Sequence, residues 1–260
     1  MRYKATQLIL WLLACTCLAP AAIARERWQN SAYITHSFTE VALGSEFGQG
    51  KQVVRKWVKP IRLFITHQVG DKALHEKLLD AHIEHLAAIT GHDIKRVSSA
   101  KEANIRFFFT RESQLLPLIR QYSGRQSVAH ERGSVCLASI RTNRADEIES
   151  AVIYIPVDRA RRHAKLLACI VEELTQALGL PRDSDSVYPS IFNDRTVSYL
   201  LTGLDDILLR MLYDPRMLPG SDRKKIQEIA PRLLSDFENK GLIEGASLRV
   251  RKEGALYQFF

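Results

Sequence analysis

The sequence lacks the short motifs that identify several common classes of enzyme. It contains no G-x-S-x-G turn, which presents the nucleophile of many serine hydrolases, and no G-x-x-x-x-G-K-[ST] loop, which cradles nucleotide phosphates. Although the formal net charge is +8, the sequence also lacks a long basic run and a patch of interleaved aromatic and basic residues. These absences argue against those two enzyme classes and against nucleic-acid binding.

Long apolar stretches are missing after the first two dozen residues. Residues 8–18 form a short apolar run that follows Arg2 and Lys4 and precedes the small residues Ala22 and Ala24. This order is typical of a secretory signal peptide, and the run is shorter than the roughly 20 residues that a membrane-spanning helix needs. We therefore expect a signal peptide over residues 1–24, and a mature chain that is periplasmic or secreted and has no transmembrane helix.

An alternative fate for the same segment is lipidation. The run Leu12-Leu13-Ala14-Cys15 resembles a bacterial lipobox, in which the cysteine is acylated and becomes the first residue. The residues after Cys15 stay apolar, whereas a lipidated cysteine is usually followed by a polar tether. Export with cleavage is the favoured interpretation, and an outer-membrane lipoprotein is the alternative.

Cysteine is scarce in the rest of the chain. Two of the four cysteines belong to the signal, so the mature chain keeps Cys136 and Cys169. In an oxidising compartment two cysteines are expected to pair, and the alternative is a pair of buried thiols. We predict a disulfide between Cys136 and Cys169.

The apolar pattern of the mature chain predicts an α+β fold. Residues 25–50 are mixed and polar and are predicted to be a loose lead-in, and residues 51–260 form one domain whose part from about 197 to 260 is helical. The predicted strands are 53–66, 105–110, 134–141, 151–157, 247–252 and 255–260, and the predicted helices are 71–90, 112–122 (interrupted at Pro117), 159–180, 197–213 and 222–240.

The most informative stretch lies at the end of the predicted helix 159–180. It reads Glu172-Glu173-Leu-Thr-Gln176-Ala-Leu-Gly179-Leu-Pro-Arg182 and resembles the metzincin motif H-E-x-x-H-x-x-G-x-x-H. The glutamate and the glycine of the motif are present at the same spacing, but its three histidines are replaced. In that motif residues i and i+4 share a helical face, so two histidines reach one zinc ion. The resemblance implies a zincin-like mixed sheet with a motif helix, and a helix capped by a glycine is the simpler alternative.

The replaced residues change the expected chemistry. Glu172, Gln176 and Arg182 stand at the three ligand positions and Glu173 at the general-base position, but glutamine is a poor zinc ligand and arginine stays charged. One interpretation gives Arg182 the place of the metal as a cation within salt bridges. In another, Glu172, Asp183 and Asp185, with Gln176 nearby, form an oxygen-rich site for zinc or calcium, with Glu173 as the base.

The same region resembles a specific bacterial family. The run from Cys169 through Gly179, then Asp183-Ser184 and Pro189-Ser190-Ile191-Phe192-Asn193-Asp194, is similar to the domain of unknown function numbered 2927. The resemblance covers about residues 53–220 and implies export or lipidation, but no activity. The segment 190–193 lies where metzincins have a Met-turn, with Phe192 instead of methionine.

Histidines elsewhere give no clear site. The sequence Ala81-His82-Ile83-Glu84-His85 fails the H-x-x-E-H pattern of inverted zincins because Ala81 replaces the first histidine. We interpret His75, His82 and His85 as surface residues of an amphipathic helix.

Together these patterns predict an exported, catalytically inactive zincin-like domain that binds a peptide, a polysaccharide or another envelope protein, without a cofactor. One alternative is an active metal-dependent peptidase in which Glu173 is the base. The other is a structural envelope protein in which the helix 159–180 is simply packed in the core. In the favoured interpretation Glu172, Gln176, Arg182 and Asp183 are the candidate binding residues.

Overall fold

The computed structural model describes residues 26–44, 50–131, 133–195 and 198–259. The predicted signal peptide, residues 1–24, and the alternative lipidation site at Cys15 lie outside these ranges. Within them the chain forms a five-stranded mixed sheet and eight α-helices, so the predicted α+β class is confirmed.

The sheet is built from short runs of branched and aromatic residues, which favour an extended backbone. Its strands lie in the order β2-β1-β3-β5-β4; adjacent strands are parallel except for β4, which is antiparallel to β5. A short link joins β4 to β5, as a hairpin requires, whereas parallel neighbours need longer crossovers. The strands are β1 (Ile61–His67), β2 (Ile94–Arg96), β3 (Ile105–Thr110), β4 (Leu137–Thr142) and β5 (Ile148–Pro156).

Helices cover both faces of the sheet. Because successive strand residues point to opposite faces, Phe107 and Phe109 pack in the larger core with α2 and α5, and Phe108 packs in a smaller core with α3. The helices are α1 (Ser31–Leu43), α2 (Lys72–Thr90), α3 (Glu112–Tyr122), α4 (Val157–Arg162), α5 (Leu166–Ala177), α6 (Gly203–Tyr213), α7 (Arg223–Asn239) and α8 (Ala246–Glu253).

The prediction of a loose lead-in over residues 25–50 is wrong for the described part of that segment. Asn30 caps α1, and its side chain accepts hydrogen bonds from the backbone N–H groups of Ala32 and Tyr33. Ile34 and Phe38 are fully buried on one face of the helix, which packs against α6 and α7. The N-terminal segment is therefore part of the core.

Several predicted boundaries also need correction. The strand predicted over 53–66 begins only after Pro60, at Ile61, and α3 runs through Pro117 without interruption. The helix predicted over 159–180 is split into α4 and α5, since Ala164 has a φ of 52°. The helix predicted from 197 starts at Gly203, where Thr202 and Asp205 form a capping box.

The two strands predicted at the end of the chain, 247–252 and 255–260, are wrong. The first segment lies in α8, where Ala246 and Val250, four residues apart, are buried on one helical face. The second is largely a 3-10 helix over Ala255–Gln258, in which Leu256 is buried. In both segments helical spacing of buried residues prevails over the alternation that a strand requires.

None of the helices in the described ranges combines the length and the hydropathy that crossing a bilayer requires.

Candidate functional site

The candidate site is built around α5, which carries Glu172, Glu173 and Gln176 of the stretch singled out in the sequence. This helix packs against α2 on one side and against β4 and β5 on the other. A disulfide joins Cys169 of the helix to Cys136, which directly precedes β4, with Cα atoms 5.8 Å apart. The predicted disulfide is therefore confirmed, and it fixes the motif helix to the edge of the sheet.

The end of the motif helix is held by two aromatic side chains. The indole N–H of Trp57 donates a 2.8 Å hydrogen bond to the carbonyl of Ala177, and the Tyr213 hydroxyl donates to the carbonyl of Leu178 at 3.0 Å. These bonds satisfy two of the carbonyl groups that a helix leaves unbonded at its end. The chain then turns at Gly179, whose φ is 121° and where an added Cβ would lie 2.0 Å from the Arg55 carbonyl oxygen.

Gln176 and Asp183 meet across this turn. The side-chain amide of Gln176 donates a 2.9 Å hydrogen bond to Oδ1 of Asp183, and Gln176 is almost fully buried. Burial, and after it the neighbouring Asp194, raise the pKa of the Asp183 carboxyl to about 7, although the bond from Gln176 opposes the shift. The turn thus brings the second ligand position of the motif together with one predicted oxygen ligand.

Glu172 and Glu173 diverge from one another, as successive helical residues must. Glu173, at the general-base position, is buried with 5% of its surface exposed, whereas Glu172 is only partly buried. The two carboxylates therefore face different surroundings.

The side chains of Arg182 and Asp185 form ion pairs with residues other than Gln176 and Asp183. The Arg182 guanidinium forms a 3.3 Å ion pair with Glu40 of α1, and Asp185 pairs with Arg195 at 2.6 Å on the surface. Arg182 is thus held in an ion pair, as one interpretation of the motif expects, while its occupation of the place of a metal stays a prediction. In the described ranges no group of three or more His, Cys, Asp or Glu side chains is arranged to hold a metal ion.

The segment at the Met-turn position has an anchor that the sequence analysis missed. The fully buried Asp205 accepts hydrogen bonds from the Ser190 hydroxyl at 2.6 Å and from the backbone N–H of Ile191 at 3.1 Å, while Phe192 is fully buried. Burial raises the pKa of Asp205 to about 6, and these hydrogen bonds oppose the shift. The capping-box spacing of Thr202 and Asp205 was the signal that could have identified this anchor.

The histidines of α2 are buried, so their interpretation as surface residues is wrong. One ring nitrogen of His82, Nε2, lies 3.0 Å from the Val171 carbonyl and 3.1 Å from the Thr175 hydroxyl of the motif helix. His75 and His85 are also buried, and the His75 ring stacks on Phe109 of β3. Burial lowers the pKa of all three, to about 4 for His75 and His85 and about 3 for His82.

Comparison with known proteins identifies one family. A family model described as "Protein of unknown function (DUF2927)" matches residues 31–232. The match begins at the first residue of α1 and ends within α7, so it includes the helix that the sequence analysis had assigned to a lead-in. No curated protein and no solved structure matches the chain.

Proposed function

The chain belongs to this family of unknown function, and we propose that it is an exported, non-catalytic binding domain of zincin-like architecture. The proposal draws on the frame of the motif: a helix beside an antiparallel edge strand, a sharp turn at Gly179, and Glu173 at the general-base position. In an active metzincin this frame brings three histidines to one zinc ion.

One observation carries the proposal that the site is non-catalytic, namely the hydrogen bond between Gln176 and Asp183. The amide of Gln176 directs an N–H donor at the carboxylate, where a histidine would direct a lone pair at a metal. Asp183 thereby has a partner within the protein, and Arg182 at the third ligand position pairs with Glu40 instead. Gln176 and Arg182, at two of the three ligand positions, thus each bond to a carboxylate of the protein itself.

The test measures metal dependence and hydrolysis together. The mature chain, purified without a histidine tag, is assayed for bound zinc and calcium, for its melting temperature with and without chelator, and for hydrolysis of casein. We expect no stoichiometric metal, an unchanged melting temperature and no hydrolysis. A chelator-sensitive hydrolysis that Glu173→Gln abolishes, while the exposed control Glu149→Gln preserves it, would overturn the proposal.

Export is tested separately on the full chain expressed in a Gram-negative host. The proposal predicts a periplasmic product whose N-terminal sequence starts after Ala24. A product that starts at an acylated Cys15 would establish lipidation instead, and an unprocessed cytoplasmic chain would contradict export.

A further inference from the structure

Two adjoining depressions on the surface form one groove beside the start of the motif helix. They have volumes of about 510 and 720 Å³ and share Thr202, Arg251 and Tyr257 in their walls. We propose that this groove, called the tyrosine-arginine groove below, binds an acidic polysaccharide. The inference rests on the proposed binding role and names its ligand class.

Aromatic rings stand exposed along the groove. Tyr188 in the first depression is 58% exposed, and Tyr199 in the second is 43% exposed. A single exposed ring is ordinary on a protein surface, but two rings that line adjoining depressions can contact one ligand together. Their flat faces suit the C–H face of a sugar ring, which packs on an aromatic ring in the same way as other apolar groups.

The backbone beneath Tyr188 is fixed from within the protein. The hydroxyl of Tyr33 accepts a 2.8 Å hydrogen bond from the backbone N–H of Tyr188 and lies 2.9 Å from its carbonyl oxygen. The Thr202 hydroxyl donates to the carbonyl of the next residue, Pro189, at 2.8 Å. The ring is thus presented by an ordered backbone, which reduces the entropy that binding would cost.

The floor of the first depression is closely packed. A Cβ added at Gly203 would lie 2.6 Å from the Ser247 hydroxyl and 2.9 Å from the Trp28 ring. Only glycine lets the start of α6 approach both α8 and Trp28 so closely. The floor of the depression is therefore fixed by close packing between α6, α8 and Trp28.

Two arginines give the groove its charge. Arg27 and Arg251 line it, and in the described part of the chain neither has a carboxylate within ion-pair distance. The carboxylate of Glu26, also in the wall, accepts hydrogen bonds from Trp28 at 2.9 Å and Ser247 at 2.7 Å. The guanidinium groups remain available for the carboxylates of a ligand, which they can bind with two parallel hydrogen bonds.

The shape of the groove favours a polysaccharide over a peptide. Its walls come from helix ends and connecting segments, and no residue of the five strands lines it. An extended peptide is commonly held by main-chain bonds to a strand edge, which this groove does not offer. Recognition here must use ring faces and charged side chains, and these match the sugar rings and carboxylates of an acidic glycan.

The test uses the fluorescence of Trp28, which is buried but forms part of the wall of the groove, against that of Trp57, which does not line it. The mature chain is titrated with a hexamer of galacturonic acid, with a neutral hexamer of glucose and with a hexaglutamate peptide. We expect a saturable change with the acidic sugar only, lost in Trp28→Phe. Tyr188→Ala and Arg251→Ala should each weaken binding about tenfold.

Two matched controls are available on other parts of the surface. Lys224→Ala removes an exposed cation of α7, and Tyr122→Ala removes an exposed aromatic ring of α3; neither residue lines the groove, and both variants should bind as the parent does. Equal binding of hexaglutamate, or no saturable binding of the acidic sugar, would overturn the inference. Either result would leave the proposal of a non-catalytic site intact. Metal-dependent hydrolysis would overturn that proposal, but it would not by itself overturn the binding of an acidic polysaccharide in the groove.

Discussion

The side-chain amide of Gln176 donates a 2.9 Å hydrogen bond to Asp183 and so joins the motif helix to the segment that follows its turn. The Asp183 carboxyl has a raised pKa of about 7, first because it is desolvated and second because Asp194 is near. A group whose pKa is raised in the folded state stabilises the fold while it is protonated. This contribution is complete below the unfolded pKa near 4 and is lost as the pH rises through about 7.

Asp183→Asn should therefore stabilise the protein at high pH, because asparagine keeps the acceptor oxygen without the charge. We expect a free energy of unfolding greater by about 1–2 kcal/mol at pH 8 and little change at pH 4.5, where the native carboxyl is protonated. Urea unfolding at the two pH values measures this difference. Asp185→Asn, on the surface, is the control, and an equal effect of Asp183→Asn at both values would contradict the raised pKa.

The ring of His75 stacks on Phe109 with centroids 4.5 Å apart, and neither of its nitrogens has a hydrogen-bond partner among the described residues. Its pKa is lowered to about 4, first by burial and second by His67. The unfolded state therefore binds a proton at a pH where the folded state does not. The stability contributed by neutral His75 is present above pH 6.5 and falls as the pH drops from 6.5 towards 4.

His75→Phe should raise the melting temperature and reduce the loss of stability in acid, since it removes buried polar atoms and the proton uptake. When the pH is lowered from 7.5 to 5, the free energy of unfolding of the variant should fall by roughly 1–2 kcal/mol less than that of the parent. Thermal unfolding at both pH values is the measurement. The exposed His163→Phe should show the acid sensitivity of the parent, and an unchanged pH dependence in His75→Phe would refute the argument.

The disulfide between Cys136 and Cys169 closes a loop across 33 positions of sequence. In the chain-entropy model such a loop stabilises the folded state by roughly 3–4 kcal/mol. The double variant Cys136→Ala/Cys169→Ala should lose stability by about this amount, and reduction should lower the melting temperature of the parent but not of the variant. A thiol titration of the denatured protein without reductant should find neither cysteine reactive. If both Cys136 and Cys169 react, the disulfide does not form.

The elements that the sequence predicts best are those with a long or strongly apolar pattern of their own. The 19-residue helix α2 and the strand β3 were predicted to within one residue, because each pattern has the period of its structure. The helix α1 was missed because its stability comes from burial against α6 and α7, which lie far away in the sequence. A pattern read along the chain does not show such distant partners.

The partner of Arg182 could not be predicted because the helix that carries it was missed. The Arg182 side chain turns to Glu40, which lies on α1, so its direction depends on an element that was not predicted. The bond between Gln176 and Asp183, in contrast, spans only seven residues and follows from the turn at Gly179. Local geometry was therefore accessible from the sequence, and contacts between distant segments were not.

The turn at Gly179 gives the sharpest test of how the motif helix ends. Its φ of 121° is strained for any residue with a Cβ, and that atom would lie 2.0 Å from the Arg55 carbonyl oxygen. Because that oxygen belongs to the backbone, the clash is relieved only if the segment around Arg55 moves. This movement would disturb Trp57, two residues on, and its hydrogen bond to the helix end.

Gly179→Ala should destabilise the protein by about 3 kcal/mol or more, since strain and overpacking act together. Urea unfolding followed by Trp57 fluorescence measures the loss, and the emission of the folded variant should already differ from that of the parent. Gly70→Ala is the matched control, because Gly70 lacks a positive φ and an added Cβ there meets no atom within 4 Å. If the two variants unfold at the same urea concentration, the close approach of Gly179 to Arg55 does not determine how the helix ends. The hydrogen bonds from Trp57 and Tyr213 would then be enough to fix the end of the helix.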